Sequence, residues 1–163
     1  MKVEYINPFL TSAISAFDTM LGCKLNRGTP YVKNGSQPEH EVSGVIGLSG
    51  KARGTVVLSL SREAALNATA VLLQERPAEI NSDVTDAVGE LTNIIAGGAK
   101  AQLEHLNMSV SLPTVITGRF HCAEFPRKAR PICIPFESEW GVITVEVGLI
   151  EEPTHTAHAN GDP

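Results

Sequence analysis

Along residues 8–22, PFLTSAISAFDTMLG, the apolar positions Leu10, Ile14, Phe17 and Leu21 recur at helical spacing. They share one side of a helix, and Gly22 is a suitable stop. A loop rich in Asn, Gly and Pro follows, with a short strand expected near Pro30–Lys33. The period then changes to two. From Glu41 to Ser49, Val42, Ile46 and Leu48 share a parity with Gly44, and Gly54–Ser61, GTVVLSLS, is alternating and β-branched. This predicts a hairpin with its turn at Gly50-Lys51-Ala52-Arg53. Ser61 can cap a helix running to about Glu75, which Pro77 ends. Asn81, Ser82 and Asp83 offer caps for a longer helix, from Val84 to about Leu106, spanning about 35 Å. Ser109–Gly118 is strand-like but interrupted by Pro113, which suits an edge or a bulge. Pro131–Ser138 and Gly141–Ile150 read as a last pair of strands, with Ile143, Val145, Val147 and Leu149 on one face.

The order is helix, strands, two helices, strands, so the two halves are loosely alike. It predicts an α+β domain over residues 1–151, with long helices on one face of a largely antiparallel sheet. Residues 152–163 are nearly without apolar side chains and are expected to form a mobile tail. With 163 residues, 42% of them hydrophobic, the chain can bury one sizeable core. The formal net charge of −5 argues against a general nucleic-acid partner, which would require a basic face. No apolar run is long enough to span a membrane, and Glu4, Asn7 and Pro8 break up the start too early for a signal peptide. Cys23, Cys122 and Cys133 are sparse, odd in number and not spaced for zinc. They are expected to be buried free thiols in a cytosolic protein. The basic stretch Arg119–Arg130 is expected to be a solvated loop, with steering of an acidic partner as the other reading. Trp140, beside Gly141, is expected to pack at a strand turn. His155 and His158 make a poor metal site.

Candidate chemistry lies on the long helix. In TDAVGELTNIIAGGAK, Thr85–Lys100, a 100° step per residue aligns Asp86, Glu90, Asn93, Gly97 and Lys100. Val88, Leu91, Ile95, Leu103 and Leu106 can face a core. No Ser, Cys or His shares the polar stripe, so a covalent intermediate is not its chemistry. The Asn93 amide is a poor base, but it can accept through its oxygen and donate through its nitrogen, as holding a water requires. Glu90, one turn away, can grip a Lys or Arg. Gly97 and Gly98 each cost about 1 kcal/mol inside a helix, which implies close approach of another backbone. Glu-x-x-Asn also occurs at Glu4/Asn7 and Glu104/Asn107, and Asn107 reads as a cap. Only Glu90/Asn93 combines a helix interior with the aligned Asp86 and the glycines. On spacing alone, an ordinary solvated helix face remains open.

The run Asp86-x-x-x-Glu90-x-x-Asn93-Ile-Ile-Ala-Gly97-x-x-Lys100 resembles the signature helix of the CheC/CheX/FliY family of chemotaxis response-regulator phosphatases. The element order over residues 1–150 is also similar. A single Glu-x-x-Asn helix resembles the CheX branch, since CheC-like members carry two. The resemblance implies a phosphatase acting on a phosphorylated CheY-type response regulator. The regulator would supply the aspartyl phosphate, Mg²⁺ and lysine, and this chain would bind no cofactor or metal. Asn93 would orient the attacking water, and Glu90 would pair with the regulator's lysine. Gly97 and Gly98 would let the partner approach, and Asp86 would extend the charged edge. A homodimer joined through sheet edges is implied as well. The alternative is a binding module that docks a regulator or another chemotaxis protein without hydrolysis.

Overall fold

The computed structural model describes residues 3–35 and 37–153. The expected mobile tail from 154 onward, with His155 and His158, lies outside the described residues. The chain forms α1 (Val3–Leu21), β1 (Asn26–Arg27), β2 (Tyr31–Val32), β3 (Val42–Ser49) and β4 (Ala52–Leu60). Then come α2 (Arg62–Leu73), α3 (Ser82–Gln102), a short 3₁₀ turn (Glu104–Leu106), β5 (Ser109–Val110), β6 (Thr114–Thr117), β7 (Ile132–Ser138) and β8 (Gly141–Glu151). The eight strands make one antiparallel sheet in the order β1-β7-β8-β4-β3-β5, with β2 also on β7 and β6 also on β3. This is the expected α+β arrangement, with the three helices on one face.

Period two decides which strand residues meet the helices. Leu58 pairs with Val145, and Val145 with Ile134, so one row of side chains crosses three strands. These residues, with Ile143, Val147, Leu149, Val56 and Leu60, form the core with Phe9, Phe17, Leu91 and Ile95. The helix stops and starts follow local chemistry. Gly22, at φ +61°, ends α1 with its N–H on Asp18 O, because glycine takes the left-handed turn without strain. Ser61 and Asn81 cap α2 and α3 by accepting from Ala64 N and Val84 N.

Several boundaries differ from the sequence reading. α1 starts at Val3, not near Pro8. Pro8 removes one helical hydrogen bond, but Tyr5, Pro8 and Phe9 are all buried, and Tyr5 hydrogen-bonds Glu151 at the far end of the chain. The β3–β4 turn is tighter than expected, and Ala52 and Arg53 already pair with Glu151 and Ile150. The long helix ends at Gln102, and the 3₁₀ turn after it closes on Asn107 in a left-handed conformation. Leu103 and Leu106 are still buried, but from that turn.

The sheet's other face is covered by irregular chain. Residues 33–35, 37–41 and 118–131 cross it. Lys33 pairs with the fully buried Glu146, and His40 N donates to Ser59 Oγ. Thr55 Oγ1 donates to Glu124 O, and Phe125 lies where a Cβ on Gly148 would be. His121 donates through Nδ1 to Gly118 O, which leaves Nε2 to accept from Ser43 Oγ. The basic side chains are solvated as expected, since Arg119, Arg127, Lys128 and Arg130 are all exposed, while Ala123 between them is buried. The cysteine expectation is corrected at one position, because Cys23 and Cys133 are buried free thiols and Cys122 is exposed.

Candidate functional site

α3 is fixed from three directions. Val84, Val88, Leu91, Ile95 and Ala99 are buried under it, and it packs on α1, α2 and strands β3 to β6. Its seat on the sheet is close. A Cβ on Gly44 of β3 would lie 1.9 Å from Thr92 Oγ1, so only glycine lets the helix sit this low. Thr92 is fully buried, and its hydroxyl donates back to Val88 O at 2.6 Å. The neighbour in sequence, Asn93, is thus carried by a backbone that cannot shift without disturbing the core.

The opposite side of α3 carries the stripe. Asp86, Glu90 and Lys100 are exposed, while Asn93 and Gly97 are half-buried. Among the described residues, no hydrogen bond or ion pair engages the side chains of Asp86, Glu90, Asn93 or Lys100. The amide and the carboxylate are therefore free to meet an external group. The valley beside them is open. Asn93, Gly97 and Lys100 line a depression of about 570 Å³ with Met108, Ser109 and Val110. Asp86 and Glu90 line a second, of about 460 Å³, with Gly89, Pro113 and Val115. Neither is an enclosed chamber for a small substrate. They form the flank of a helix that a larger body can cover.

The two glycines separate. At Gly97 a Cβ would meet nothing within 4 Å, so its bareness faces open space. At Gly98 a Cβ would stand 2.2 Å from Ser12 Oγ. Gly98 thus allows the close packing of α1 on α3 within the chain. Among the described residues, no group of three or more His, Cys, Asp or Glu could hold a metal ion, and no helix is long and apolar enough to cross a membrane.

A family model described as chemotaxis phosphatase CheX matches residues 42–137, from β3 through β7. The chain belongs to the CheX family. CheY-P phosphatase CheX of Thermotoga maritima is 29% identical over 122 residues, 73% of this chain and 79% of that protein. A CheC-like superfamily protein from Shewanella sp. PV-4 superposes with TM-score 0.84 at 33% identity, over 92% of this chain and 99% of that one. The CheX–CheY–BeF₃–Mg²⁺ complex from Borrelia burgdorferi matches with TM-score 0.78 at 24% identity, over 92% of this chain and all of that one, a likeness of fold. These structural matches extend the likeness of fold beyond residues 42–137.

Two features of this CheX-family site escaped sequence reasoning. The Gly44–Thr92 seat was half visible, since Gly44 sits at a core parity where a larger apolar residue would be usual. The second is the passage of Ser109–Val115 alongside the stripe. Only its Pro113, an edge signal, pointed that way.

Proposed function

We propose that this chain is a phosphatase that hydrolyses the aspartyl phosphate of a phosphorylated CheY-type response regulator. The observation that carries the reading is the pair Glu90 and Asn93, one turn apart on a firmly seated helix, uncommitted and beside an open valley. The name of the Thermotoga maritima relative and the regulator complex of the Borrelia burgdorferi protein support it.

In this reading the regulator brings the acyl phosphate, Mg²⁺ and a lysine. Asn93 accepts a hydrogen bond from a water and aligns the water's oxygen with phosphorus, opposite the aspartyl oxygen. The new P–O bond forms as the bond to the aspartyl oxygen breaks, giving inorganic phosphate and a free carboxylate. Glu90 grips the regulator's lysine, a charge-assisted contact that fixes register. Asp86 extends the acidic edge. Gly97, bare toward open space, lets the regulator backbone come close to the helix. Action in the cytoplasm and a homodimer built through a sheet edge, where the four-residue β6 is the longest rim strand, complete the proposal.

The test is loss of phosphate from a phosphorylated regulator. Wild type accelerates it, and Asn93→Ala reduces the acceleration by at least about 100-fold with association retained. Glu90→Ala chiefly weakens association. Acceleration by no regulator overturns the enzymatic reading and leaves the docking module. Full activity in Asn93→Ala overturns the assigned role of Asn93.

A further inference from the structure

Leu112 is the most exposed large apolar side chain among the described residues, at 89%. A lone surface leucine is ordinary. This one is distinguished by how it is held and what it stands beside. The preceding residue is pinned to β3 at two points, with Ser111 N donating to Gly47 O and Gly47 N donating to Ser111 Oγ, both at 2.9 Å. The Ser111 hydroxyl in turn donates to Leu112 O at 2.9 Å. Pro113 follows, with its φ fixed by the ring, and lies 3.5 Å from the point a Cβ on Gly89 would occupy. Leu112 is therefore presented on a stiff backbone.

Its location follows from its neighbours. Ser109 and Val110 flank Asn93 and Gly97, and Pro113 and Val115 flank Asp86 and Glu90. Leu112 lies between these two stretches of chain, on the flank of the Glu90–Asn93 pair. An asparagine side chain is short. For its amide to reach a phosphoryl group on another protein, that protein's surface must close down over both flanks of α3. Leu112 then leaves water together with the partly exposed Val110 and Val115.

We propose that Leu112 is the apolar anchor of this interface, seating against an apolar patch of the phosphorylated regulator next to its phosphoryl group. This rests on the phosphatase reading and adds a residue that touches neither water nor phosphate. Interfaces concentrate most of their binding energy in a few well-packed side chains, with near-neutral contacts around them that exclude water. Here the charged stripe Asp86, Glu90 and Lys100 runs along α3 to one side of the proposed anchor. Burying a leucine side chain predicts about a 10-fold or larger contribution to association.

The experiment uses the full chain and the response regulators of the same organism, phosphorylated with acetyl phosphate or held in a beryllofluoride-activated form. Leu112→Ser is expected to raise KM by about 10-fold and to weaken binding to the beryllofluoride form equally, with kcat within about twofold of wild type. Leu112→Met is expected to restore both. Asn93→Ala shows the opposite split, with kcat lost and binding kept. Unchanged KM and binding in Leu112→Ser overturn the anchor while leaving the phosphatase reading intact. The same is true if the variant changes only self-association, as measured by light scattering, because the surface then serves a second copy. If wild type binds regulators without hydrolysis, the phosphatase reading falls and the binding arm still decides the anchor. If wild type neither hydrolyses nor binds any of them, both fall.

Discussion

Thr92 fills the space that a side chain on Gly44 would need: a Cβ on the strand residue would lie 1.9 Å from the hydroxyl oxygen of the helix residue. The contact sets the height of α3 above the sheet, and with it the position of the Asn93 amide.

Gly44→Ala is therefore expected to destabilise the fold by about 1–3 kcal/mol, the range for forcing extra volume into a packed core. It is also expected to lower phosphatase turnover, because the helix must rise or rotate to make room. Thr92→Ala in the same chain should recover only part of the stability, since Thr92 Cβ already lies 2.9 Å from that point. Thermal unfolding and single-turnover dephosphorylation of the single and double variants check this. A Gly44→Ala chain as stable as wild type would show that the seat is softer than its geometry implies.

Adjacent glycines on α3 are expected to respond in opposite directions. Gly97→Ala meets no atom and gains helix propensity, so it should raise stability by up to about 1 kcal/mol while impairing docking of the regulator. Gly98→Ala drives a methyl group into Ser12 Oγ and should destabilise. Adding Ser12→Ala should rescue it, because the remaining Cβ contact is 3.3 Å. Denaturant midpoints and regulator binding for the four chains separate the two roles.

The buried pair behind the sheet gives a pH-dependent prediction. Burial pushes the Glu146 carboxyl above its ordinary range, and the hydrogen bond from Lys33 opposes that push. In Lys33→Met the opposing cation is gone, and the carboxyl is expected to rise further. A carboxyl raised in the folded state binds its proton more tightly there than in the unfolded chain. Its contribution is thus favourable below the unfolded carboxylate range and is lost as pH rises through the folded value. Lys33→Met should be destabilised by about 3–5 kcal/mol at pH 7, with the deficit shrinking toward pH 4. Replacing both partners, as Lys33→Met with Glu146→Leu, should restore stability near neutral pH. Unfolding midpoints across that pH range give the comparison.

The features legible in the sequence were those written in local periodicity. The β3–β4 and β7–β8 hairpins carry a period-two apolar row because one face meets the helices, and the α3 stripe is visible because its two sides differ in polarity. Long-range decisions were not legible. Nothing near Pro8 announces that Tyr5 will reach Glu151, which is what lets the helix run back to Val3. Lys33 and Glu146 are 113 residues apart, and each alone reads as an ordinary surface charge. The basic loop was legible in part. Its charged residues are exposed as expected, but composition does not register that Ala123 is buried and Phe125 half-buried between them. At the candidate site, the polar stripe with Glu90 and Asn93 was legible from helical spacing, whereas the flank carrying Leu112 depended on where β5 and β6 join β3.

The irregular chain over the back of the sheet has a consequence for motion. That layer is tied to the sheet by side-chain contacts, such as Thr55 to Glu124 and His121 to Ser43, rather than by a continuous ladder. Segments held this way are expected to open locally at lower cost than a paired strand, so amide hydrogen exchange there should be faster than in β4 and β8. The domain is thus expected to be asymmetric in stiffness, with a more yielding rear and a firm front that holds the Asn93 amide in place.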